Sequence, residues 1–306
     1  MIKKILVIIA HRGIGDLIYH LPLLRSLNKK YNIKIDLLTN KVNKAKEIYK
    51  NENFINSINY FDNNRVGFFK FILKFYKFVK LINSYNSDYT ILTTRATRLF
   101  LPLIFSNSKK KIIFGLNKFY FKDKNFFNYS SSVNLQRYSR KIGLATEKEN
   151  FFLTRKFFKS DLKKNIFLSV DSHHNQNNWP LNNFILLTNK LLETKHKIYI
   201  NFSINNYHYL KIFKNYFKNN HLIQYTYKKT ISEIISIIQK STHVIGNESG
   251  PVCIGASVKK KVHSIYLPIY TKPESKIISN KISYYNANLI CKEKIIKKII
   301  DSVKKN

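Results

Sequence analysis

An alternation running the length of the chain constrains its fold more than any other feature. Short apolar runs rich in β-branched residues are separated by longer stretches with apolar residues at helical spacing. In the first half, residues 3–10, 34–40, 88–94 and 110–116 read as strands, and 16–30, 41–50 and 66–83 carry helical spacing. From about Lys164 the rhythm restarts, with strands expected at 165–172, 196–203, 221–227, 243–249 and 261–267. Helices are expected at 181–194, 205–218, 230–241 and 251–258, and a terminal helix at 293–305. The strands are apolar throughout, as strands buried on both faces must be, so the sheets should be parallel. Strand–helix alternation then implies α/β architecture with helices on both sheet faces. The stretch 117–163 lacks a clear repeat and holds the passage between halves. Two doubly wound domains, 1–160 and 161–306, facing a central cleft are therefore expected. Whether the terminal helix packs back on the first domain stays open. Ligands of such sheets bind beyond the carboxyl ends of the strands. That singles out the loops at 11–16, 171–180, 203–206 and 247–251.

Charge narrows the partners. Among 306 residues, Lys and Arg number 54 against 17 Asp and Glu, a net charge of +37. Such a balance favours anionic partners: nucleic acid, an acidic membrane face or phosphorylated small molecules. The lysines are spread along the whole chain, and the abundance of Lys, Asn, Ile, Phe and Tyr is also what an AT-rich genome produces. No RRM, KH, helix-turn-helix or zinc signature appears, so no nucleic-acid partner is expected. Cys253 and Cys291 give neither a disulfide framework nor a CxxC pair, which fits a reducing cytoplasm. The N-terminus "MIKKILVIIAHRG" imitates a signal peptide, but its apolar run is short and enters a glycine-bearing loop, so it reads as a buried first strand. No stretch approaches the ~18 uninterrupted apolar residues that cross a bilayer.

Two turns carry the chemistry. In "AHRGIGDLIYHLP", Gly13 and Gly15 can adopt positive φ or admit a close neighbour to the backbone. Asp16 follows at or near the helix N-cap, with Leu17, Ile18, Leu21, Leu24 and Leu27 on an apolar face. It reads either as a cap, stabilising by about 0.5–2 kcal/mol, or as a reactive carboxylate. His11 and Arg12 read as contacts for an anionic acceptor or as plain loop residues. No third glycine completes a dinucleotide fingerprint and no Gly-Lys-Ser/Thr makes a P-loop. In "HVIGNESGPVCIGASV", Ser249 and Gly250 stand at a helix start, where amides and a hydroxyl can hold phosphate oxygens. Pro251 suits that first turn. The adjacent His173 and His174 diverge on a strand and lack a ligand-spaced partner, so no metal is expected. The helix at 66–83 places Phe68, Ile72, Phe75, Val79 and Ile82 on one stripe and Lys70, Lys74 and Lys77 on another. It reads as a core-packed helix with a solvated lysine face, or as one that lies on an anionic bilayer.

Together, "GIGDLIYHLPLLRSL", "NNWPLNNFILL" and "GNESGPVCIGASV" resemble glycosyltransferase family 9, the lipopolysaccharide heptosyltransferases and their relatives. The resemblance spans nearly the full chain in matching order. It implies a GT-B fold of two Rossmann-like domains, the acceptor on the first and the nucleotide-sugar on the second. It further implies inverting transfer of heptose or a related sugar from an ADP-linked donor to a lipopolysaccharide-type or other surface glycan acceptor. No metal or other cofactor is implied, and the implied place is the cytoplasm, peripheral at the inner face of the membrane. Asp16 matches the family's proposed catalytic base, and Ser249 and Gly250 match its phosphate-contacting turn. "TISEIISII" matches the segment beside the adenine pocket, which brings in Ile235. The chain departs from the pattern at Glu248, where relatives place Asp, and at Cys253, where they place His. At Asn177 they carry a phosphate-binding Lys. The ribose-binding acid has no match, leaving Asn205 or Asn206 to hydrogen-bond a ribose. These departures keep open a sugar-nucleotide-binding protein with lost or altered catalysis.

Overall fold

The structure is a computed structural model that describes residues 2–62, 68–94, 97–114, 139–140, 143–144, 151–154, 165–172, 178–267 and 281–305. The chain divides into two compact units, the first built on Met1–Thr154 and the second from Arg155 onward.

In the first unit the strands are β1 (Ile5–Ile9), β2 (Ile35–Asn40), β3 (Ile55–Phe61), β4 (Tyr89–Leu92) and β5 (Lys110–Ile113). Their order is β3-β2-β1-β4-β5, and every neighbouring pair is parallel. The helices are α1 (Ile14–Tyr31), α2 (Ala45–Ile48), α3 (Phe68–Asn83) and α4 (Thr97–Ile104). All five residues of β1 are fully buried at the centre of the sheet, as their unbroken apolar run requires. After β1 the chain winds outward through β2 and β3, then returns to β4 on the other side. The topological switch point therefore lies between β1 and β4, at the loop before α1.

The second unit repeats the device with β6 (Asn165–Ser169), β7 (Lys197–Asn201), β8 (Ile223–Thr226), β9 (His243–Asn247), β10 (Lys261–Tyr266) and β11 (Ile282–Asn286). The order is β11-β10-β9-β6-β7-β8, again parallel throughout. Its helices are α5 (Leu181–Leu192), α6 (Tyr207–Tyr216), α7 (Ile231–Gln239), α8 (Gly250–Ser257) and α9 (Lys292–Lys304). Here the switch point falls between β6 and β9. The terminal helix α9 buries Ile295, Ile299 and Val303 in this unit's own core, beside α5.

Several expectations need correction. The expected helix at 41–50 is broken into a 3₁₀ turn, Lys41–Asn43, and the single turn of α2. Lys44 stands between them at φ 56°, and the Asn43 side chain accepts from the Ala45 amide at 3.2 Å. Strands β3 and β11 were not expected, and both are sheet edges whose apolar residues are interrupted by Ser, Asn and Tyr. In α3 the expected stripe holds at Ile82 and departs at Ile72 and Val79. Phe78 and Ile82 are buried in the core, with Phe61 packed 5.1 Å from the Phe78 ring, while Ile72 faces outward. No helix among the described residues is long and apolar enough to cross a membrane.

Candidate functional site

The first switch point is built around Asp16. Gly13 is the N-cap of α1 with φ −78° and ψ 146°, and Gly15 lies within the first turn. Neither glycine uses the left-handed region. Gly13 is required for space instead: a Cβ there would lie 2.7 Å from Asp16 Oδ2. Asp16 is the third helical residue, not the cap. Its Oδ2 accepts the Gly13 amide proton at 3.0 Å. Glycine has no side chain to return the contact, so this is half of a capping box. Among the described residues Oδ1 accepts no hydrogen bond, leaving one oxygen held and one available. The carboxylate is partly exposed at the helix mouth.

Beneath it lies a residue that the sequence reading missed. His20, one helical turn on, is buried. Its Nδ1–H donates to the Asp16 carbonyl at 2.5 Å, and its Nε2 accepts from the Thr93 hydroxyl at 2.9 Å. Burial, then the neighbouring His11, pushes its pKa down to about 3. His20 is therefore neutral at ordinary pH and acts as a strut from the end of β4 to the backbone of Asp16. The His11 ring sits 5.6 Å from it, with a buried Nδ1 that has no hydrogen-bond partner among the described residues. The His11 carbonyl accepts from Asn43 Nδ2 at 3.2 Å, which ties the loop down. Arg12 is exposed.

At the second switch point the groups have the opposite character. Ser249 is the N-cap of α8, with Gly250 first and Pro251 second in the helix. Ser249 makes no cap bond through its side chain, whose Oγ lies 3.5 Å from Ser169 Oγ. The amides of Gly250 and Val252 and the Ser249 hydroxyl thus stand at a partially positive helix end. Asn247, fully buried, fixes the turn: Nδ2 donates to the Val170 carbonyl and Oδ1 accepts from the Trp179 amide, both at 2.8 Å. Trp179 in turn packs edge-on against Phe184, 5.0 Å away, below Pro180, the N-cap of α5. Gly246 is needed because a Cβ there would sit 2.2 Å from the Ser169 carbonyl oxygen on β6. The partly exposed Glu248 donates its amide to the Ile265 carbonyl at 3.0 Å.

Two neighbouring asparagines separate. Asn206 is buried and donates to Asp171 Oδ2 at 2.9 Å, so it is already engaged. Asp171 also accepts from the Ser203 amide and hydroxyl, and burial raises its pKa. Asn205 is exposed. Ile235 is fully buried, so it offers no face to a nucleobase; as on any amphipathic helix, its apolar side chain goes to the core. Beside Asn205 stands an aromatic cluster that the sequence reading also passed over. Tyr207 and Tyr227 have ring centroids 5.5 Å apart, and Tyr227 Oη donates to the Ile204 carbonyl at 3.2 Å. Lys211 and Lys228 lie over the two rings. Asn177, His173 and His174 lie outside the described residues. Among the described residues no group of three His, Cys, Asp or Glu side chains is placed to hold a metal.

Two doubly wound, all-parallel units define the GT-B class of glycosyltransferase fold. A model of glycosyltransferase family 9 (heptosyltransferase) matches residues 123–298, over half of the chain, and the chain belongs to that family. It is a glycosyltransferase that uses a nucleotide-sugar. The matched range includes Glu248, Ser249 and Gly250 and leaves residues 11–16 outside. No curated protein sequence matches the chain. Among solved structures, it is similar to a family 9 glycosyltransferase from Veillonella parvula DSM 2008, with TM-score 0.76 at 15% identity, covering 99% of this chain and 98% of that one. It is similar to the E. coli ADP-heptose lps heptosyltransferase II, with TM-score 0.75 at 12% identity over 99% of both chains. It is also similar to the E. coli heptosyltransferase WaaC with ADP, with TM-score 0.70 at 12% identity, over 98% and 99%. At such identities these likenesses speak for the fold.

Proposed function

We propose that this chain is an inverting glycosyltransferase that moves heptose or a related sugar from an ADP-linked donor to a lipopolysaccharide-type or other surface glycan. The acceptor is taken by the first unit and the donor by the second. Asp16 takes the proton of the acceptor hydroxyl as its oxygen bonds to the anomeric carbon. The bond from that carbon to the diphosphate oxygen breaks on the opposite face, and its electron pair leaves with the nucleoside diphosphate. The Gly250 and Val252 amides and the Ser249 hydroxyl meet that growing charge, a kind of stabilisation worth about 2.7–4 kcal/mol per well-placed donor. Glu248 stands beside this turn. Asn205 meets the ribose, and the exposed Tyr207 with the partly buried Tyr227 replaces the buried Ile235 as the surface for the base. His11 and Arg12 face the acceptor, with no metal or other cofactor in the reaction. Its place is the cytoplasm, at the inner face of the membrane.

The observation that carries the reading is the half-held carboxylate of Asp16, with one oxygen fixed by Gly13 and the other open. A capping role alone would make Asp16→Asn a matter of stability. A base role makes it a matter of rate, of about 10²–10⁴-fold. Transfer from ADP-heptose should fall by that factor in Asp16→Asn with folding intact. Unchanged turnover would remove Asp16 from the mechanism, and ADP binding without any transfer by the native chain would favour the binding-protein alternative.

A further inference from the structure

We propose that the outward face of α3 and α4 docks on an anionic lipid bilayer. The inner side of α3 already has its partners, with Phe78 and Ile82 buried in the first unit's core. Its outer side is nevertheless apolar: Ile72, Leu73 and Tyr76 are 49%, 63% and 67% exposed. At the far end of α4, Ile104 and the following Phe105 are 48% and 65% exposed. The Phe105 ring lies 5.7 Å from that of Phe75, which joins the two helix surfaces. Single exposed apolar side chains are ordinary on any surface. Four on two touching helices and one directly after the second form a patch of the kind that marks an interaction site.

The charge around the patch identifies the occupant. Lys77 and Lys80 are exposed on α3, and Lys110 and Lys111 are exposed just beyond α4. Lys111 Nζ donates to the Ile104 carbonyl at 2.6 Å, which holds its charge at the patch edge. The acids beside these helices are matched, Asp62 by Lys74 and Asp88 by Lys109, each at 2.7 Å. An apolar centre with an unbalanced basic rim is complementary to acyl chains beneath anionic headgroups. No described helix can span a bilayer, so the contact is with its surface. The docking deepens the proposed function and rests on its lipopolysaccharide-type acceptor, which a membrane surface would present.

A net charge of +37 would draw this chain to any anionic vesicle, so the test must hold charge constant. The triple variant Leu73→Ser/Tyr76→Ser/Phe105→Ser does so, and changes only exposed side chains. The native chain should co-sediment with phosphatidylcholine vesicles containing phosphatidylglycerol. The variant should partition at least ~10-fold more weakly, given what burial of even one such side chain contributes. Equal binding by both forms would overturn the proposal in favour of diffuse charge attraction. So would no native binding at low salt, or a native self-association in sedimentation velocity that the variant lacks. Thermal shift with ADP on both forms reports separately on the donor reading. Loss of the shift in both would sink that reading while the vesicle comparison still decides the docking.

Discussion

The two units use one scaffold to present opposite chemistry. Each winds a parallel sheet outward, returns across its first strand, and leaves a helix mouth at the switch point. In the first unit that mouth carries a carboxylate, held by Gly13 and braced from below by a neutral histidine. In the second it carries a hydroxyl and bare amides, locked in place by the buried Asn247. One end can accept a proton, and the other can donate to negative charge. The fold supplies the position, and a few side chains decide the sign.

The glycines sharpen this contrast most strongly. Gly246→Ala drives a methyl into the backbone of β6, which cannot give way, and should cost more than ~4 kcal/mol, read as a collapsed urea midpoint for the second unit. Gly13→Ala meets only the movable end of Asp16, so stability should change by no more than about 1–2 kcal/mol. Transfer should nonetheless fall, because the carboxylate is displaced. Equal stability loss in both variants would break the comparison.

Acid should separate the units next. His243 and His263 in the second unit are held neutral by burial, with pKa values lowered to about 4 and about 3, against His20 alone in the first. Below the unfolded value near 6.5 only the unfolded chain takes up these protons, so stability falls as pH drops toward 3–4. At pH 5 each histidine accounts for about 2 kcal/mol, so the second unit should lose about 4 and the first about 2. The raised pKa of Asp171 works the other way, since protonation relieves its buried charge as pH falls. Hydrogen exchange followed from pH 7 to 5 would show the steeper loss in the second unit; a steeper loss in the first would contradict the assignment. The smallest effect expected is for Asn205→Ala, about 0.5–1.5 kcal/mol of donor affinity by titration with ADP.

What was legible in the sequence follows from burial. Strands buried on both faces, such as β1 and β9, announce themselves as unbroken apolar runs. The edge strands β3 and β11 do not, because a half-exposed strand tolerates Asn, Ser and Tyr. Helix α3 reads as a helix with Ile82 inward, but Phe78 is buried instead of Val79 and Ile72 faces out, since the helix is apolar on both sides and its pattern cannot say which face is inner. At the site, Asp16, Ser249 and Gly250 stand where the βα turns put them. His20 was invisible, because nothing in the sequence distinguishes a buried strut from a surface histidine. Asn205 and Asn206 are adjacent and chemically identical; only the packing of Asp171 shows which one is engaged.

The central claim is that the carboxylate at residue 16 acts in the chemical step and the turn at 249–250 holds the diphosphate. ADP titrated into Asp16→Asn and Ser249→Ala tests it most directly. Asp16→Asn should bind ADP as the native chain does, and Ser249→Ala should bind it about 10-fold more weakly, the loss of one hydrogen bond to a charged group. The reverse pattern, with ADP affinity lost at residue 16 and untouched at residue 249, would contradict the account.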